Sequence, residues 1–89
     1  MHKVYKYELN FNDTQYISLP YGTEILSVGN QFEKLCMWVK FNTDEEMLFE
    51  FKIYVIGTGN QIPLPSKNIN FIGTVMFGGG KEVYHVFLA

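Results

Sequence analysis

Arginine is absent from all 89 residues. Duplex nucleic acid is gripped through clusters of Lys and Arg, and its bases are read most often by a bidentate guanidinium. The basic residues are Lys3, Lys6, Lys34, Lys40, Lys52, Lys67 and Lys81, scattered without a basic run, and the formal net charge is −2. Duplex nucleic acid is therefore not expected as a partner. Cysteine is nearly absent too. Cys36 stands alone inside the apolar run Leu35–Val39, which excludes an internal disulfide, predicts a buried, inert thiol and points to a reducing compartment. No apolar run approaches the ~20 residues of a membrane span. The start, MHKVYKYELN, has no apolar signal core, so the expectation is a soluble protein that stays where it is made.

Catalytic and metal-binding sets are equally thin. His2 and His85 are the only histidines, and with one cysteine they give no recognisable ligand set for zinc. Asp44-Glu45-Glu46 lacks the spacing of a calcium loop. Ser18, Ser27 and Ser66 have no flanking glycines of a nucleophile elbow. The expectation is a non-enzymatic protein with no cofactor and no metal.

Helical periodicity is missing as well; β-branched and aromatic residues dominate, and apolar positions alternate. In Lys3–Leu9, Tyr5, Tyr7 and Leu9 share a face. Short strands are predicted at Gln15–Leu19 and Glu24–Val28, separated by the breaker Pro20-Tyr21-Gly22, with a turn at Gly29-Asn30-Gln31. Glu33–Phe41 alternates Leu35, Met37, Val39 and Phe41 against Lys34, Cys36, Trp38 and Lys40. The acidic loop Asn42–Glu46 predicts that residues 33–41 and 47–56 form an antiparallel hairpin. The stretch Met47–Gly59 reads as the longest strand, and at Tyr54 and Ile56 both its faces become apolar, which predicts cover on two sides. Residues 57–70 form a long connection with at most a short turn near Pro65–Lys67. Phe71–Phe77 and Val83–Leu88 predict a final hairpin. About seven strands at roughly ten-residue spacing imply one all-β domain over residues 1–89, a compact antiparallel sandwich or small barrel.

Hydrophobic residues are 47% of the chain and aromatics 17%. A domain this small buries only about 60% of its unfolded surface, so some rings are expected at a pocket or at the interface of a homo-oligomer. Two glycine-bracketed turns mark candidate ligand loops. In Gly57-Thr58-Gly59-Asn60, backbone amides and a hydroxyl can face an anion, although the third glycine and the helix of a dinucleotide fingerprint are missing. Gly78-Gly79-Gly80-Lys81 offers an ammonium beside flexible backbone, without the spacing of a P-loop; a plain hairpin turn explains its glycines equally. Trp38, Tyr54 and the tyrosines Tyr5, Tyr7, Tyr16, Tyr21 and Tyr84 can stack on a planar base, or pack in the core with their polar ends outward. His85 shares its strand face with Val83 and Phe87, as a hydrogen-bonded core histidine would.

The segments Lys3–Leu9 (KVYKYEL), Pro20–Val28 (PYGTEILSV), Trp38-Val39, Ile56–Pro63 (IGTGNQIP), Phe71–Val75 (FIGTV) and Val83–Phe87 (VYHVF) together resemble a family of small proteins encoded by tailed phages and prophages. That resemblance implies a phage origin and expression in the host cytoplasm. It implies no reaction. Combined with the glycine turns, it leads to the expectation of an anti-defence accessory protein. Such a protein would sequester a small nucleotide-type immune signal at a subunit interface, with Gly57–Asn60 and Gly79 supplying amides, Lys81 or Lys67 offsetting phosphate charge, His85 nearby, and Trp38 or Tyr54 stacking. The alternatives are a protein-binding module that inhibits a host defence protein by strand addition, or a minor virion or assembly component.

Overall fold

The computed structural model describes residues 1–11, 14–62 and 69–89; the turn expected near Pro65–Lys67 lies outside them. Seven strands follow one another: β1 (His2–Glu8), β2 (Thr14–Pro20), β3 (Glu24–Gln31), β4 (Lys34–Asn42), β5 (Leu48–Gly57), β6 (Asn70–Phe77) and β7 (Glu82–Leu88). A single 3-10 turn at Gly78–Gly80 is the helical element among the described residues. The strands form two antiparallel sheets, ordered β1-β4-β3 and β2-β5-β7-β6. This is the all-β sandwich that the alternation predicts. Leu35, Met37 and Val39 of β4 and Ile53, Val55 and Val86 of β5 and β7 meet in its core, each at most 1% exposed. Burying side chains of this size contributes roughly 1.5–3 kcal/mol apiece.

Two local expectations are corrected. The hairpin of residues 33–41 with 47–56 does not form: β4 pairs with β1 and β3, while β5 pairs with β2 and β7. Each of these strands carries an apolar row that needs a facing layer, and placing them in opposite sheets lets the rows cover one another. The chain crosses between sheets after Asn42, where Thr43 N–H donates to Met1 O and the amino terminus meets Asp44 at 2.9 Å. The turn expected at Gly29-Asn30-Gln31 is one step later. β3 continues through Gln31, and the chain reverses on Phe32 and Glu33, whose φ values of 54° and 61° are left-handed. Such a two-residue primed turn matches the twist of its flanking strands even without glycine. Asn30 holds it, accepting from Glu33 N–H at 2.9 Å and donating to Met76 O at 3.0 Å.

That last bond joins β3 to β6, so the two sheets meet at a corner. Closeness there depends on Gly73, where an added Cβ would lie 2.9 Å from Val28 Cγ2. The opposite side, between β1 and β2, is looser. Tyr5 and Phe49 occupy register positions on the inner faces, across from Val39 and Leu19, yet stay 48% and 50% exposed.

Candidate functional site

The glycine turn that ends β5 and the turn between β6 and β7 come together. Between them lies an open depression of about 370 Å³ walled by Gly57, Thr58, Asn60, Lys81, Glu82, Val83 and Tyr84. Its geometry follows from a few bonds. Asn60 N–H closes a turn onto Gly57 O at 3.0 Å, with Gly59 at φ 89° in the third position, where positive φ favours glycine. Thr58 N–H donates to Val83 O at 3.0 Å, extending the β5–β7 pairing past the strand end. A Cβ on Gly57 would sit 2.9 Å from Asn60 Nδ2, so the missing side chain lets Asn60 fold close over the turn, and 3.8 Å from the Tyr84 ring, an ordinary contact.

His85 sits behind the wall, half-buried. Thr58 Oγ1 lies 2.8 Å from its Nε2, and Thr74 Oγ1 lies 3.0 Å from its Nδ1. A neutral imidazole offers one donor and one acceptor, and a hydroxyl answers either. The ring thus bolts β5, β6 and β7 together at their common end. Both of its nitrogens are occupied, which is the hydrogen-bonded histidine that the alternation suggests.

The charges of the depression are mixed. The ammonium of Lys81 makes no ion pair among the described residues. Glu82 contributes a carboxylate, and Tyr84 Oη donates to it at 3.1 Å. That hydrogen bond, then burial and then the carboxylate charge push the Tyr84 phenol above its ordinary 10.0. The Tyr84 ring also packs on Phe11 and Phe77, at 4.9 and 5.9 Å between centroids, so its position is fixed.

Of the sequence candidates, Gly57, Thr58, Asn60 and Lys81 line this depression, Gly59 shapes it, and His85 supports it. The remaining three are elsewhere. Gly79 is exposed at the hairpin tip with φ 70° and open space around it. Tyr54 is only 2% exposed, and Lys52 lies 5.3 Å from its ring centroid and 5.7 Å from that of Tyr16. The Tyr54 hydroxyl, followed by Tyr16, raises the Lys52 ammonium above its ordinary range. Trp38 belongs to the other sheet, opposite Lys6 and Ser27, and its ring lies over Gly29, 3.3 Å from where a Cβ would be. A base held at the glycine turns therefore has neither of these two rings beside it. The ring that is there is Tyr84, one of the tyrosines the sequence offers for stacking, while Glu82 and Thr74 escaped the sequence reading. Tyr84 lies in VYHVF, on the strand face opposite His85. The amides also change role: those of Thr58 and Asn60 are spent on the carbonyls of Val83 and Gly57, and Lys67 lies outside the described residues.

No group of three or more His, Cys, Asp or Glu side chains converges among the described residues. No helix among them is long and apolar enough to cross a membrane. A family model described as a domain of unknown function, DUF7352, matches residues 1–89, and the chain belongs to that family. No curated protein and no solved structure matches the chain.

Proposed function

We propose that this domain acts by binding and not by catalysis, taking a small nucleotide-type ligand in the depression between the two glycine turns. The observation that carries the reading is the junction itself: two turns distant in sequence wall one recess lined by an ammonium with no ion pair among the described residues, an amide side chain, a hydroxyl and an aromatic ring. Lys81 faces a phosphate, Tyr84 offers a ring to the base, and the side-chain amide of Asn60 supplies donor and acceptor for a base edge. The carboxylate of Glu82 limits how much negative charge the recess accepts, so one or two phosphates fit better than a polyphosphate. Taken with the resemblance to tailed-phage proteins, the biological role is that of an accessory protein in the host cytoplasm that withdraws an immune signal of this chemistry.

Thermal unfolding with cyclic di- and oligonucleotides and ADP-ribose derivatives tests this. A ligand at a hundred times its Kd stabilises the fold by about 2.7 kcal/mol. For a domain of this size that is a rise of about 10–20 °C in melting temperature. Lys81→Met weakens binding by about tenfold, the worth of one hydrogen bond to a charged group. No shift with any nucleotide overturns the reading. A host protein retained on the immobilised domain in that case favours the alternative, a module that inhibits a defence protein through a free strand edge.

A further inference from the structure

We infer that two copies of this chain join edge to edge along β2, making one continuous eight-stranded sheet across a twofold axis. The two sheets have four edges, β1 and β3 on one, β2 and β6 on the other. Free edges invite pairing, and proteins guard them with charges, bulges or cover. β3 and β6 guard each other: both carry a register shift, at Ile25/Ser27 and Phe71/Gly73, and Asn30 of β3 occupies the carbonyl of Met76 on β6. β1 carries Lys3 and Lys6. β2, TQYISLP, has no charged residue, pairs with β5 in unbroken register over seven residues, and has proline only at its last position.

The occupant that fits is β2 of a second copy. Twofold pairing sets this strand against itself, and since β2 carries no charged residue it brings no like-charge pair together. Antiparallel pairing centred on Ile17 sets Tyr16 opposite Ser18 of the other copy. Tyr16 is 57% exposed and Ser18 is exposed, so that pair adds ring area without a clash of bulk. On the inner face, Ile17 meets its own counterpart. The row continues the half-buried Phe51 and the half-exposed Phe49 and Tyr5 of the loose side of the sandwich. Cross-strand apolar and aromatic pairs of this kind are the stabilising unit of a sheet.

This inference stands independently of what fills the recess, because the recess lies where β5, β6 and β7 end and β2 is the far edge of the same sheet. Light scattering and sedimentation test it. The expected mass is twice 10.3 kDa, and Tyr16→Lys or Ser18→Lys returns it to 10.3 kDa, while Val4→Lys on β1 leaves it doubled. Hydrogen exchange on the unsubstituted protein gives a second reading: the amides of residues 14–19 that face away from β5 gain protection as concentration rises, and those of β1 do not. A 10.3 kDa particle at every concentration overturns the proposal. So does a doubled mass that survives both β2 variants, or concentration-dependent protection confined to β1; a strand captured from another protein on a monomeric domain counts against it equally.

Discussion

Replacing Gly73 by alanine measures how tightly the β3–β6 corner is closed. The added Cβ would stand 2.9 Å from Val28 Cγ2. Carbon pairs rest at about 3.5–4.0 Å, so the corner must open by roughly 0.6 Å or more. Val28 cannot swing aside, since a β-branched side chain is held near one χ1 well and its strand is fixed by pairing with β4. Overpacking of this kind costs about 1–3 kcal/mol. Alanine also lowers the entropy of the unfolded chain, which offsets about 0.4–1 kcal/mol at a position without positive φ. The net loss is about 1–2 kcal/mol, a fall of about 5–15 °C in melting temperature. Val28→Ala alone removes two half-buried carbons and costs about 1–2 kcal/mol. Combined with Gly73→Ala it makes room for the new methyl, so the double variant is more stable than the sum by about 1 kcal/mol.

The control is Gly57→Ala. Its added Cβ faces a contact of the same 2.9 Å, but against Asn60 Nδ2, the end of an exposed side chain that can rotate away. Its effect stays within about 0.5 kcal/mol. Urea unfolding followed through the fluorescence of Trp38, the only tryptophan, reads all four variants. A Gly73→Ala protein as stable as its parent, or strict additivity with Val28→Ala, refutes the closed corner.

Changing Phe32-Glu33 to Asn-Gly relieves two left-handed residues, each costing about 1–2 kcal/mol, so the melting temperature rises; a drop means that the exposed Phe32 is held by contacts the turn geometry does not reveal. The Tyr84 phenol is raised above 10.0 in the fold, so the stability it lends is complete below that pH and is lost as pH climbs through the raised value. Tyr84→Phe keeps the ring contacts with Phe11 and Phe77 and flattens that alkaline part of the stability curve. An unchanged alkaline slope breaks the link to Glu82.

Much of the sandwich was legible because period-two alternation is a local signal. Leu35, Met37, Val39 and Phe41 identified the core face of β4 without any partner in view, and the double apolarity at Tyr54 and Ile56 anticipated exposures of 2% and 3%. Partner choice was not local. A loop of acidic residues between two alternating strands reads as a hairpin, whereas the cost that decides the matter is the cover each apolar row finds across the gap. Phe32 and Glu33 hid their turn for a related reason: neither favours positive φ, and the geometry is held by Asn30, whose partner Met76 is 46 residues away. At the site, the glycines marked where the backbone turns but not which way the amides point. Thr58 and Asn60 spend theirs on the carbonyls of Val83 and Gly57, so those two amides are not open to a ligand, and the place of Glu82 at the recess became visible only once β7 was placed beside β5.

The two ends of the larger sheet accordingly have different physical characters, and that difference decides how binding and assembly relate. The recess is bounded by bonds internal to one chain, from Thr58 to Val83 and from His85 to Thr58 and Thr74. Among the described residues, the strand that pairs with β2 is β5. A ligand in the recess bears on the β2 edge through β5, whose residues Ile53 to Ile56 are buried on both faces, and through Tyr84, whose ring packs on Phe11 just before β2; neither route shows a second packing to adopt. Coupling between sites is reciprocal, so the same quantity can be read from either side. Nucleotide affinity measured in the Ser18→Lys protein should equal that of the parent, and the dimer's dissociation constant should not move when the recess is filled. A change in one accompanied by a matching change in the other would mean that β5 or the Phe11–Tyr84 contact has two arrangements, and that the sheet is a lever rather than a rigid spacer.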